Sequence, residues 1–167
     1  DAVVLACPAP EAARLVRAAP LGAAWAETAE ALTFEAITTV YVTGGPRLPL
    51  PMLALRSGPG APAQFVFDRA QLGGPAGLLA FVASASDGDR AEIEAGVLAQ
   101  AHALGWPVQP LQTVVDKRAT FACTPGLQRP PAAIAPGLWA CGDYVDGPYP
   151  ATLEGAVRAG LSVAALL

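Results

Sequence analysis

Ligands for a metal are scarce in this chain: its 167 residues include one histidine, His102, and three cysteines, Cys7, Cys123 and Cys141, widely separated and never arranged as CxxC. A metal centre needs several imidazole, thiolate or carboxylate donors at close spacing. None is expected here, and His102, among Ala and Gln on a predicted helix, reads as a surface or packing residue. The cysteines lie in or at the ends of apolar stretches and read as buried small residues of a reducing cytoplasm. Charge is also sparse, 14% of residues, with 10 basic against 14 acidic. Without a basic cluster there is no electrostatic footprint for nucleic acid. The sequence contains no run of 18 apolar residues and no charged-then-apolar leader, so neither a membrane span nor a secretion signal is read.

What is abundant is apolar side chain, 53% of residues with a mean hydropathy of +0.42. One core does not require so much. Either part of the surface is covered by another piece of polypeptide, or a large site takes an oily substrate with access from a membrane surface; alanine and proline richness inflates the figure as well. The length suffices for one ordinary domain. Because Asp1 rather than Met opens the chain and an apolar strand follows with no lead-in, the sequence is expected to be a piece of a longer polypeptide.

Local patterns give the element order. Ala2 to Ala6 reads as a buried strand, followed after Pro8 and Pro10 by a helix carrying Glu11, Arg14, Leu15 and Val16. A second helix is predicted over Ala23 to Leu32. Ile37 to Thr43, β-branched and aromatic, predicts a strand; Met52 to Arg56, Phe65 to Asp68 and Leu78 to Ser84 predict three more. Gly73-Gly74-Pro75-Ala76-Gly77 joins the last two and imitates a phosphate-binding loop. It is rejected as one because Pro75 withholds an N–H and a strand rather than a helix follows. Asp87 to Gly105 predicts a helix capped by Ser86 or Asp87. Val108 to Phe121 predicts a strand broken at Pro110, and Gln128 to Pro136 an extended linker. On the long strand Asp116, Arg118 and Thr120 share one face, with Lys117, Ala119 and Phe121 on the other. Asp68 and Arg69 predict a salt bridge at a strand end.

The chemistry concentrates near the C-terminus. Leu138 to Cys141 is a short apolar run ended by Gly142, which suits a strand stopping at a crevice where a ligand can approach backbone. Asp143 then offers a carboxylate, an acceptor for sugar-type hydroxyls. Pro150 blocks a helix before it, and Thr152 caps a helix from Leu153 to Leu166 that starts beside Asp143. The helix mouth presents unpaired N–H groups and a partial positive charge. Gly155, Ala156, Ala159, Gly160 and Ala164 leave little bulk along it. Tyr144 and Tyr149 flank the loop, as ring-stacking or as packing residues. An α/β packing unit with no ligand would use the same Gly-Asp turn.

The Gly142-Asp143 turn with the Pro150-to-Gly160 helix resembles the C-terminal part of the flavin-containing amine oxidase and phytoene desaturase superfamily. With Val3 to Pro8, Phe65 to Arg69 and Lys117 to Gly126, the chain is most similar to the squalene-associated FAD-dependent desaturases, the hydroxysqualene dehydroxylases. The resemblance implies an α+β flavoprotein fragment in three segments. Residues 1–19 would belong to an FAD domain, residues 20–131 to a substrate domain with a mixed or antiparallel sheet backed by helices, and residues 132–167 to the FAD domain's last strand and helix. Gly142, Asp143, Thr152, Leu153, Glu154 and Gly155 would bind FAD. No catalytic residue is assigned. The GxGxxG segment that holds the ADP half of FAD in this family is missing, so the fragment alone is expected to be inactive and to hold FAD weakly or not at all.

Further expectations follow from the same resemblance. The enzyme would transfer hydride at flavin N5 to or from a C30 isoprenoid, dehydroxylating hydroxysqualene to squalene or desaturating a relative. Its partners would be that apolar substrate, the missing FAD-binding half and, peripherally, a membrane, with a cytoplasmic location. Amine substrates fit less well. Ile37 to Val40 has no lysine where amine oxidases carry one, and no paired aromatic cage is evident. A phytoene desaturase-like enzyme, an amine oxidase and a non-catalytic lipid- or partner-binding module stand as alternatives.

Overall fold

The computed structural model describes residues 1–18 and 22–167. In chain order the elements are β1 (Val3–Leu5), α1 (Ala9–Arg17), α2 (Ala23–Glu30), β2 (Phe34–Thr43), β3 (Met52–Ala54), β4 (Phe65–Asp68), β5 (Leu79–Ser84), α3 (Arg90–Ala103), β6 (Gln109–Phe121), β7 (Ala133–Ala135), β8 (Leu138–Ala140) and α4 (Leu153–Ala164). The fold is α+β. It divides into two units, one comprising Asp1–Phe34 with Thr120–Leu167 and the other Glu35–Ala119.

In the first unit β1, β8 and β7 form a three-stranded sheet in the order β1-β8-β7. β1 and β8 run parallel, with Val4 opposite Trp139 and Leu5 opposite Ala140, while β7 pairs antiparallel. β1 is an edge strand, so Val3 is 56% exposed where a buried strand was expected. α1 starts at the prolines as predicted and buries Ala9, Ala12, Ala13 and Val16, a single stripe at helical spacing. α2 sets Trp25, Ala26 and Ala29 into the same core, joined by Leu32, Phe121, Ala140, Tyr144 and Val145. Alanines on both helices let the backbones approach closely. Arg17 clasps Glu30 through Nε and Nη2 at 2.6 and 2.5 Å, and Trp25 Nε1 donates to the Pro131 carbonyl at 2.7 Å.

These contacts revise the segment boundaries. α2 and Thr120 to Pro131 fold with the first unit rather than with the middle of the chain. The expected division between 19 and 20 falls outside the described residues. The Gln128-to-Pro136 linker contains strand β7, because Ala132 accepts from Ala140 N–H and so draws the segment onto β8.

The second unit is a five-stranded sheet ordered β3-β4-β5-β2-β6 with α3 on one face. The β3–β4, β4–β5 and β2–β5 pairs are antiparallel. Val40 and Val66 both lie opposite Phe81, and Val42 opposite Leu79; these side chains meet Ile93, Val97 and Ala101 of α3 in a closed core. Burying each such side chain contributes roughly 1.5–3 kcal/mol. The cap of α3 is Asp89, not Ser86 or Asp87. Asp89 accepts from Glu92 N–H at 2.8 Å while the Glu92 carboxylate accepts from Asp89 N–H at 3.3 Å, closing a reciprocal box. Gly105, at φ +77°, ends the helix in the left-handed conformation, as expected.

Two other expectations fail. Pro110 does not break β6, because it is the second residue of an edge strand, where a missing N–H has little to lose. Asp68 makes no salt bridge to Arg69. It is buried and accepts from Leu48 N–H, Ala70 N–H and Gln71 Nε2 at 3.1, 3.1 and 2.8 Å, and these donors, Gln71 foremost, hold its carboxyl below the usual range.

The face of this sheet opposite α3 is apolar. Ile37, Thr39 and Tyr41 of β2 share it with Val82 of β5, Phe65 and Phe67 of β4, and Met52 of β3. Met52 and Phe65 are exposed, at 47% and 37%, and no helix of this unit lies over the face. Among the described residues no helix is long and apolar enough to cross a membrane, and no cluster of His, Cys, Asp and Glu could hold a metal ion.

Candidate functional site

The Gly142-Asp143 turn is built where β8 stops. β8 is held by β1 up to Cys141, whose N–H donates to the Leu5 carbonyl at 3.1 Å. Tyr144 and Val145 then turn inward and are buried, at 3% and 4% exposure, in the core of the first unit. That inward turn leaves no room beside Gly142, since a Cβ there would lie 2.6 Å from Tyr144 Cε1. Tyr144 meets Trp25 edge to face at 6.4 Å, and its hydroxyl is buried without a hydrogen-bond partner among the described residues. Burial, with Cys7, Cys141 and Asp143 nearby, pushes the phenol well above its ordinary value.

Asp143, anchored by its buried neighbour, is half-buried. Its carbonyl accepts from Ala151 N–H at 3.4 Å, which brings it to the residue preceding the helix cap. Among the described residues no hydrogen bond is made to its carboxylate. Thr152 caps α4 as predicted: Oγ1 accepts from Gly155 N–H at 3.0 Å and donates to the Tyr149 carbonyl at 2.6 Å. Ala156 N–H donates to the Thr152 carbonyl at 3.1 Å. The Leu153 and Glu154 amides find no acceptor among the described residues and remain the open donors of the helix mouth. Glu154, in the first turn where a carboxylate complements the helix dipole, is occupied by Arg158 at 2.6 Å.

Gly155 is the tightest point. A Cβ there would lie 2.2 Å from the Tyr149 carbonyl oxygen. The loop carbonyl and the first helical turn therefore approach each other only over glycine. Tyr149 and Ala151 both have φ of +57°, an unfavourable conformation for residues with a side chain. Arg158 stacks over the Tyr149 ring at 5.1 Å, so this tyrosine is an exposed loop residue while Tyr144 is a core residue.

The six residues expected at the site thus cluster at one corner of the first unit: Gly142 and Asp143 on one side, Thr152 to Gly155 on the other. The expectation of a slender helix is corrected. Leu153, Val157 and Leu161, spaced by four, stand 88%, 58% and 66% exposed and form a bulky apolar stripe. That spacing was readable in the sequence. Arg129 was not singled out, although it holds the loop after Asp143: Nη1 donates to the Val145 carbonyl at 2.9 Å, and Nη2 to the Gly147 carbonyl and to Asp146 Oδ1, the latter at 3.3 Å. No local signal identifies such a residue, because its partners lie sixteen to eighteen positions away.

Other expected side chains lie elsewhere. Lys117 and Arg118 are exposed on β6. Cys123 is exposed rather than buried, since it follows the end of β6; Cys7 and Cys141 are half-buried, and burial raises both thiols. His102 is exposed in the last turn of α3.

Comparisons with known proteins bear on the family and on the fold. The family model described as flavin containing amine oxidoreductase matches residues 1–167. A hydroxysqualene dehydroxylase of Rhodopseudomonas palustris is 43% identical over 61 residues, 35% of this chain and 15% of that protein. A solved structure, an oxidoreductase from Methanosarcina mazei, superposes with a TM-score of 0.72 at 18% identity, covering 99% of this chain and 43% of that one. At that identity the likeness shows the fold alone. The chain matches less than half the length of either protein.

Proposed function

This chain belongs to the flavin containing amine oxidoreductase family, and on that premise we propose that it forms the flavin-closing and substrate-binding part of an FAD-dependent oxidoreductase acting on an apolar isoprenoid such as hydroxysqualene. The observation that carries the reading is the half-buried Asp143 carboxylate, without a hydrogen-bond partner among the described residues and linked through its own carbonyl to Ala151 beside the open α4 mouth. The donor set fits FAD. A ribityl chain brings hydroxyl donors to a carboxylate, and the N1 and C2 carbonyl edge of a flavin accepts amide N–H groups.

When bound, the flavin supplies the redox chemistry by exchanging hydride with the substrate. Asp143 orients the hydroxyl chain. The Leu153 and Glu154 amides, together with the helix dipole, favour the electron-rich reduced ring over the oxidised one. Gly142, Asp143 and Thr152 to Gly155 are accordingly the cofactor-binding residues of this reading.

The substrate class rests on the open sheet face of the second unit. Ile37, Tyr41, Phe65, Phe67, Val82 and Met52 present a largely hydrocarbon surface, with Glu35 of β2 at its margin. Such a face suits an isoprenoid better than an ammonium. The partial likeness to a hydroxysqualene dehydroxylase points the same way. On this reading the enzyme works in the cytoplasm and meets its oily substrate by peripheral contact with a membrane. The FAD-binding half is supplied by polypeptide beyond this chain, so the chain alone binds FAD weakly.

The test uses the complete polypeptide. Incubated with FAD, a reductant and hydroxysqualene, it should form squalene, and Asp143→Asn should loosen FAD about tenfold, the loss of one charge-assisted hydrogen bond. No flavin absorbance in the purified protein would leave a non-catalytic lipid- or partner-binding module. Flavin retained with turnover of an amine or a carotenoid, but not hydroxysqualene, would reassign the substrate.

A further inference from the structure

We infer that Arg129 is the positioning residue that sets the Asp143 carboxylate against the α4 mouth; this rests on the flavin reading above. Residues 142–152 contain no helix or strand, yet they must hold Asp143 at one end and the Thr152 cap at the other. Two of them, Tyr149 and Ala151, adopt positive φ without being glycine. Strained backbone of this kind persists only when surrounding contacts determine it.

Packing against α4 fixes only the Tyr149 end of the loop, through the Thr152 hydroxyl, the close approach of Gly155 and Arg158 over the Tyr149 ring. Val145, Asp146, Gly147 and Pro148 face Arg158, Ala159 and Ser162 across a groove of about 330 Å³, so space separates much of the loop from the helix. Arg129 holds this separated stretch from the opposite direction. Its side chain is 13% exposed and reaches the carbonyls of Val145 and Gly147, with Asp146 at the rim. The Pro130 carbonyl, adjacent in sequence, accepts from Asp146 N–H at 2.9 Å and locks the same stretch. A planar fork can satisfy two carbonyls of one loop together, which a single ammonium cannot do in the same geometry. The Val145 carbonyl that Arg129 holds is joined to Asp143 through Tyr144, which is fixed in the core and anchors Asp143. With Asp143 anchored there, displacing the 145–147 carbonyls shifts the other side of the loop, residues 148–151, and with it the Ala151 N–H that donates to the Asp143 carbonyl beside the α4 mouth.

The experiment measures FAD dissociation and the flavin visible absorption and circular dichroism of the complete polypeptide as wild type, Arg129→Ala, Arg129→Lys and Asp143→Asn. Arg129→Ala is also titrated with guanidinium at concentrations too low to denature. Arg129→Ala should loosen FAD about tenfold or more and alter the flavin dichroism, and guanidinium should recover a substantial part of both. Arg129→Lys should lie between wild type and alanine. If Asp143→Asn loosens FAD while Arg129→Ala leaves affinity and dichroism unchanged, the Arg129 assignment is overturned and the flavin reading stands. If Arg129→Ala loosens FAD and neither guanidinium nor lysine recovers it, the residue serves general folding and the assignment is again overturned. Should neither Asp143→Asn nor Arg129→Ala affect FAD, the flavin reading fails, and this inference with it.

Discussion

Two glycines of α4, five positions apart, should respond to alanine with opposite signs. In a helix Ala is favoured over Gly by about 1 kcal/mol, through backbone entropy. Gly160 has nothing within 4 Å of where its Cβ would be, so Gly160→Ala should retain most of that gain, roughly 0.5–1 kcal/mol. At Gly155 the new Cβ would meet the Tyr149 carbonyl oxygen at 2.2 Å, and something must move by more than about 1 Å to restore an ordinary van der Waals contact. The carbonyl cannot yield freely, because Thr152 Oγ1 holds it at 2.6 Å while capping the helix. Overpacking of this kind costs about 1–3 kcal/mol, and loss of the cap about 1 more. The propensity gain is thus outweighed, and Gly155→Ala should destabilise by on the order of 1–3 kcal/mol. Urea unfolding followed by far-ultraviolet circular dichroism, with amide exchange of α4 to localise the change, separates the two variants. A Gly155→Ala chain as stable as Gly160→Ala would refute the close loop-to-helix approach and with it the described site.

Tyr144→Phe should stabilise the chain by about 1 kcal/mol, because it removes a buried hydroxyl that has no partner among the described residues, and a clear loss in urea unfolding would contradict this. Since the folded phenol titrates above its unfolded value of about 10, its contribution is present below that pH and is lost as pH rises beyond it; the phenylalanine variant should show a shallower alkaline decline. Asp68 has the opposite sign: its depressed carboxyl contributes stability above about pH 4 that is lost on acidification, so Asp68→Asn should destabilise at neutral pH and converge with wild type in acid unfolding curves. Asp89→Ala should cost about 1 kcal/mol by opening the capping box of α3, read by amide exchange of its first turn. Leu161→Glu, on the exposed stripe, should leave the chain's unfolding free energy within about 0.5 kcal/mol of wild type in urea unfolding, and a larger loss would contradict the exposure of that stripe.

Much of the element order was legible because each piece carries its own local signal. Prolines start α1, β-branched residues mark β2, Gly105 ends α3, and Thr152 begins α4. The misreadings share one cause. Pro110, the Asp68 partners and the path of residues 128–136 depend on what lies alongside: a free sheet edge, the Leu48 loop, and a strand to pair with. β1 looked buried because Val3, Val4 and Leu5 are apolar, but an apolar run does not reveal whether a neighbouring strand covers both sides.

The same division runs through the candidate site. From sequence alone came the glycine turn, the carboxylate after it, the capping threonine and the small residue at Gly155, because turn and cap chemistry act over three or four residues. Tertiary structure decided the rest. It turned Tyr144 inward so that Asp143 stands at the surface of the core, joined Asp143 to Ala151, and brought Arg129 onto carbonyls sixteen and eighteen residues away. It also placed the apolar side chains of four strands on one open face. Backbone conformation is chosen locally, whereas which carbonyl meets which cation is decided only once the chain has closed on itself.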